Sequence, residues 1–228
     1  MIKLKVPLFK IYWDNEDISA VSKVIQSGVY WTTGPTVKEF ESKIAEYIGT
    51  KYALAFSSGT TALHSALVAQ CIKEGDEVIV PSFSFISTAN AALFERAVPV
   101  FADIERKTFG LYPEDVKEKI TSKTKAIVPV HYGGSPCLIR ELKEVADDYH
   151  LALIEDAAES FGAAIGSKKV GTFGDSAMLS FCQNKVITTG DGGAIVTDSS
   201  DTYEKLKLLR SHGRLEPSNY FSSSAIAD

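Results

Sequence analysis

The stretch SFCQNKVITTGDGG (180–193) sets Lys185 between an apolar run and a cluster of glycines. A lysine in that position is a solvated charge, a phosphate clamp or a nucleophile. Taken alone, a loop lysine is ordinarily solvated. Partly buried, it loses its proton readily and attacks an aldehyde to form a Schiff base. Four other places carry complementary chemistry. SSGTT (57–61) precedes a helical pattern. With Ser58 at its start, the amides of Gly59 and Thr60 and the positive end of the helix dipole suit a phosphate. A plain helix cap explains the same residues. Asp156 ends the apolar run LALIED (151–156), where an unpaired carboxylate is costly to bury. It either pairs with a protonated ring nitrogen or caps a short helix from Ala157. Phe85 follows EVIVP (77–81) and either stacks on a flat ligand or fills core, with Phe83 as a second candidate. Ser180 closes SAMLS (176–180) and offers a hydroxyl. Phosphate donors, an aromatic face, an acid and a lysine together suit a planar, phosphorylated, cationic heterocycle.

These residues share a site only if the fold brings them to one edge. Apolar runs at 52–56, 77–81, 98–104, 125–130, 151–156, 176–181 and 193–198 predict strands. Helical spacing predicts helices over 17–28, 36–49, 57–72, 86–97, 113–120, 138–150 and 199–213. In 36–49, Val37, Phe40, Ile44 and Ile48 share one face and Gly49 is a stop. Strands separated by helix-length segments predict an α/β fold with a mostly parallel sheet and helices on both faces. In such sheets ligands bind at the carboxyl ends of the strands, which is where the phosphate turn, Phe85, Asp156, Ser180 and Lys185 fall.

Composition narrows the function further. The 228 residues carry a net charge of −5, which argues against a nucleic-acid partner. No apolar stretch approaches the ~20 residues that span a bilayer, and the N-terminus does not resemble a signal peptide. Cys71, Cys137 and Cys182 are odd in number and widely spaced, so a reducing cytoplasm is the simplest setting. The four histidines form no ligand-spaced pair, and no metal site is indicated. GSKKVGT (166–172) has phosphate-loop spacing but Thr172 stands where the lysine belongs.

In their order, SSGTTALHSAL, PSFSFISTANAAL, IEDAAESFGA, GTFGD and SFCQNKVITTGDGGAIVTD resemble the successive motifs of the DegT/DnrJ/EryC1/StrS family. Members are fold-type-I, pyridoxal-phosphate-dependent aminotransferases of nucleotide-linked keto sugars. The resemblance implies that Lys185 is the Schiff-base lysine and proton carrier, and that Asp156 keeps the pyridine nitrogen protonated. It places Phe85 on the ring face, Glu159 near the ring hydroxyl, and Ser58, Gly59, Thr60 and Ser180 on the phosphate. An amino acid, usually glutamate, donates the amine. The perosamine-synthase-like branch, which aminates C4 of a 4-keto-6-deoxy sugar, is the most similar. A related dehydratase branch carries histidine in place of the lysine. GVYWTTGP (28–35) matches the segment near the substrate mouth, where Trp31 and Thr33 would meet the sugar nucleotide. The expected organisation is an N-terminal segment (1–35), a cofactor-binding large domain (36–213) and the start of a loop (214–228). Family members are longer, and this chain stops before their G-x-N-x-R segment and small C-terminal domain. The asparagine of that segment reaches the neighbouring subunit's cofactor phosphate. The resemblance therefore implies a homodimer with shared sites, and leaves open a catalytically incomplete cofactor-binding fragment or assembly partner and, as a lesser alternative, a pyridoxal-phosphate-dependent sugar dehydratase.

Overall fold

Residues 6–7, 9–30 and 34–214 are described by the computed structural model. Among the described residues, seven α-helices run in chain order: α1 (Asn15–Gln26), α2 (Pro35–Ile48), α3 (Gly59–Ala69), α4 (Ser87–Phe94), α5 (Pro113–Lys119), α6 (Ile139–Asp148) and α7 (Ser200–Arg210). Between them lie β1 (Tyr52–Phe56), β2 (Glu77–Pro81), β3 (Val98–Ala102), β4 (Thr124–Ile127), β5 (Ala152–Asp156), β6 (Ala164–Ile165), β7 (Lys168–Lys169), β8 (Ser176–Ser180) and β9 (Gly193–Thr197). One seven-stranded sheet has the order β1-β9-β8-β5-β4-β2-β3. The run from β8 to β3 is parallel, while β9 pairs antiparallel with both β8 and β1.

Strand residues alternate between two cores because successive side chains point to opposite faces. Val78, Val80, Ile154, Met178 and Ile195 pack under α3, α4 and α7. Ile79, Ile127 and Leu153 pack under α5 and α6 on the other face. Ala177, Leu179 and Val196 meet α2 there, through Ile44 and Ile48. The helix ends follow local chemistry. Asp14 caps α1 in a capping box with Asp17, Pro113 opens α5, and Gly49 ends α2 at φ 95°. Among the described residues, no helix is long and apolar enough to cross a membrane.

Two features depart from expectation. No helix starts at Ala157. Asp156 Oδ1 instead accepts the Ala158 N–H (3.2 Å) in a tight turn, and Gly162 bends the chain at φ 85°. The ring of Phe161 stacks on Tyr47 at 4.9 Å. The chain then forms the small β6–β7 hairpin, which the hydrophobic pattern does not announce. Its two-residue strands are too short for alternation to show.

Candidate active site

Strand ends bring the candidate residues to one edge of the sheet. The phosphate turn is assembled by β9. Gly193 pairs with Phe56 of β1 on one side and Ser180 of β8 on the other. A Cβ on Gly193 would lie 2.4 Å from the Ser58 carbonyl oxygen and 2.6 Å from the Gly59 nitrogen. A Cβ on Gly59 would lie 3.0 Å from Ser180 Cβ and 3.2 Å from Ser180 Oγ. Gly193 therefore lets the turn lie against β9, and Gly59 lets it lie against Ser180. Ser58 Oγ accepts the Thr61 N–H (3.1 Å), so its side chain serves as the cap of α3. The Gly59 and Thr60 amides find no acceptor among the described residues, and neither does the Ser180 hydroxyl. The cap and the anion site are thus compatible: Ser58 fixes the first turn and leaves the next two amides open.

Lys185 sits on a loop closed at its base. Phe181 N–H donates to the Gly192 carbonyl (2.9 Å), and Thr189 N–H donates to the Phe181 carbonyl (3.0 Å). The Lys185 side chain is 16% exposed and its Nζ lies 3.4 Å from Glu159 Oε1. The second oxygen of Glu159 accepts the Gly133 N–H at 2.9 Å. Glu159 is thus bound at both ends, to the lysine and to the turn after β4.

Asp156 ends β5 on the same face as Ile154, toward α3 and α4. Its carboxylate is buried, 4% exposed, and accepts from the Thr88 hydroxyl (2.9 Å) and the Ala158 amide. Burial pushes its pKa up, opposed by Thr88, Ala158, His131 and Lys185. Such a group gains a partner when a protonated ring nitrogen arrives. Phe85 is 74% exposed, so it is not core. Phe83 packs instead against Tyr132, with centroids 4.6 Å apart. Trp31 and Thr33 lie outside the described residues. A groove of about 540 Å³ along α1 and another of about 490 Å³ beside Cys71, Lys125 and His150 contain none of these side chains.

Glu155, Thr88 and Gly193 are not among the residues that the sequence pattern marks. Glu155 points to the opposite face from Asp156 and is fully buried. It accepts from the amides of Gly171 (2.8 Å), Phe173 (2.7 Å) and Gly174 (2.8 Å), and from His131 Nε2 (3.0 Å). The Cys137 amide donates to His131 Nδ1 (3.1 Å), so the ring proton must sit on Nε2, facing Glu155. Burial raises the Glu155 pKa, but His131 and the amides outweigh it and hold the carboxyl below its usual range. Glu155→Ala leaves three buried donors and one part-buried donor unpaired and is expected to cost about 3–5 kcal/mol of stability at pH 7. Because the folded pKa is depressed, this contribution is present above the unfolded value near 4.5 and is lost as pH falls below it. Urea denaturation at pH 7 and in acid measures both; a loss below 1 kcal/mol at pH 7 would refute the anchoring role.

An anion, a protonated ring nitrogen, a flat face and an aldehyde carbon would each meet a matching group on this edge. Comparison with known proteins gives the same direction. The model of the DegT/DnrJ/EryC1/StrS aminotransferase family matches residues 12–226. The chain is 40% identical to GDP-perosamine synthase of Vibrio cholerae, over 95% of this chain and 59% of that protein. An aminotransferase structure from Psychrobacter cryohalolentis superposes with a TM-score of 0.88 at 36% identity, covering 93% of this chain and 55% of that one. The Escherichia coli GDP-4-keto-6-deoxy-D-mannose-3-dehydratase structure, which contains hydrated pyridoxal phosphate, superposes with a TM-score of 0.86 at 34% identity. It covers 92% of this chain and 55% of that one. The chain thus spans little more than half the length of these relatives. The family depends on pyridoxal phosphate, and the turn at Gly59–Thr60, Asp156 and Lys185 fit that cofactor. By its sequence match and its fold, this chain belongs to the DegT/DnrJ/EryC1/StrS aminotransferase family.

Proposed function

We propose that the chain carries the cofactor-binding portion of a sugar-nucleotide aminotransferase. The acceptor is a nucleotide-linked 4-keto-6-deoxy sugar and the donor an amino acid, glutamate. The observation that carries this reading is the pairing of a mostly buried Lys185 with Glu159 on the edge that also holds Asp156 and the open amides of Gly59 and Thr60. When bound, pyridoxal phosphate supplies an electron sink for the carbon that bears the amine. Lys185 would hold the cofactor at its aldehyde through Nζ and would carry the proton at the reacting carbon. Glu159 holds the lysine amine in place beforehand. Asp156 keeps the ring nitrogen protonated, and Phe85 covers a ring face. Gly59, Thr60 and Ser180 bind the phosphate, with Ser58 fixing their turn. Residues 36–213 form the cofactor-binding unit, and Trp31 and Thr33 contact the sugar nucleotide. The functional unit is a homodimer with shared sites. Similarity to GDP-perosamine synthase supports a 4-keto-6-deoxy substrate, and Lys185 weighs against dehydration.

A second reading is that the chain binds the cofactor without completing turnover. Both are tested on the purified chain. Added pyridoxal phosphate should give a visible absorption band that borohydride bleaches, with the reduced adduct mapped to Lys185. Glutamate should then convert the band to that of the amine form. A colourless protein rules out both readings; colour that ignores glutamate favours the second.

A further inference from the structure

We infer that Thr88, with Ser84 behind it, is the positioning residue that holds Asp156 ready for the ring nitrogen and sets its spacing to Phe85. This rests on the cofactor reading above. Thr88 is buried, 1% exposed, in the first turn of α4. Its hydroxyl makes two contacts: 2.9 Å to Asp156 Oδ2 and 2.7 Å to Ser84 Oγ. A threonine hydroxyl has one proton. Against an ionised Asp156 that proton goes to Oδ2, so Ser84 must donate to Thr88. The order Ser84 to Thr88 to Asp156 is therefore fixed whenever the carboxylate is charged. Protonating Asp156 on Oδ2 would reverse it. Hydroxyls aligned this way polarise one another and favour the charged carboxylate.

The backbone of the same residue acts on Phe85. Thr88 N–H donates to the Phe85 carbonyl (3.1 Å), which closes the turn from β2 into α4. One buried residue thus ties the acid on β5 to the exposed aromatic after β2. Those two groups must address the edge and the face of a single flat ring. The hydroxyl holds the first and the amide the second. Each Asp156 oxygen accepts one hydrogen bond, from Thr88 or from Ala158, and keeps a lone pair for a ring N–H.

Thr88→Val removes the hydroxyl, keeps the amide and conserves shape; Thr88→Ser restores the hydroxyl. In the cofactor-free protein, ¹³C NMR of the labelled carboxyl, assigned by its loss in Asp156→Asn, follows Asp156 directly. The other titratable groups acting on it are His131 and Lys185. The expected result is that Thr88→Val moves the titration to higher pH while Thr88→Ser stays near wild type. Affinity for pyridoxal phosphate should fall about tenfold in Thr88→Val, the value of a hydrogen bond to a charged group, and recover in Thr88→Ser. A melting curve close to wild type separates this from unfolding. Unchanged titration and affinity in a folded Thr88→Val protein overturn the inference. A wild-type chain that takes up no cofactor overturns the functional proposal instead, and the carboxyl titration still decides whether Thr88 governs Asp156.

Discussion

Lys185→Ala is expected to abolish the visible cofactor band and lower amino transfer by about 10⁴-fold or more, the upper end for a positioned acid–base group. Loss of the covalent anchor adds to this. The fold should be unaffected. Apart from its N–H bond to the Cys182 carbonyl and its electrostatic effect on Asp156, the residue contributes one 3.4 Å ion pair with a part-exposed Glu159. A single long pair with a half-exposed partner contributes on the order of 1 kcal/mol. Lys185→Arg sharpens the test. Arginine keeps a positive charge beside Glu159, so electrostatics and fold are retained, but it stays protonated at working pH and offers no nucleophile. Arginine should therefore be as inactive as alanine while melting like wild type. Steady-state transfer from glutamate to a nucleotide keto sugar reads the first effect, and thermal denaturation the second. If Lys185→Arg kept a rate within tenfold of wild type, Lys185 would be a charge clamp and not the nucleophile.

The contrast between Lys185 and Glu155 shows what a sequence can convey. The positions of Lys185, Asp156, Phe85 and Ser180 were legible because each ends or follows an apolar run whose period announces a strand, and strand ends are where such sheets bind ligands. Their partners were harder to see. Glu155 looks like one more acid in LALIED, and only the alternation of β5 sends it to the other face. There it meets amides 16 to 19 residues further on, whose turn has no periodic signature. Thr88 carried a signal that went unused: Ser84 and Thr88 stand four apart at a helix start, close enough to bond. Gly193 is one glycine among several in TTGDGG, and its need to be glycine comes from Ser58, 135 positions earlier in the chain. Local pattern encodes elements and their ends. Contacts across the sheet depend on strand order, and β9 inserts between β1 and β8, which sequence order does not suggest.

Asp156→Asn is expected to stabilise the cofactor-free protein while disabling it. In the folded state burial raises the Asp156 pKa, and Thr88, Ala158, His131 and Lys185 only partly offset this. A raised folded pKa means that the folded chain holds the proton more tightly than the unfolded chain. Above the folded pKa, the charged carboxylate is a net cost that asparagine avoids. At pH 7 the cofactor-free variant should thus gain about 1–2 kcal/mol, a fraction of the several kcal/mol needed to bury an ion. As pH falls through the folded pKa the wild type recovers stability, and the difference closes below the unfolded value near 3.8. Asparagine also fits the hydroxyl chain, since its amide can donate to Thr88 and turn Thr88 toward Ser84. With cofactor bound the order should invert. The wild type pairs its charge with the ring N–H, whereas asparagine leaves the nitrogen without a counter-charge. Amino transfer should fall roughly 10²- to 10³-fold, the cost of removing a preorganised group from where charge develops. Melting temperatures with and without pyridoxal phosphate, at pH 7 and in acid, test the whole prediction. A cofactor-free wild type as stable as the variant at pH 7 would show that the Asp156 charge is already satisfied by the chain itself. The carboxylate would then have no unmet charge to offer a ring nitrogen.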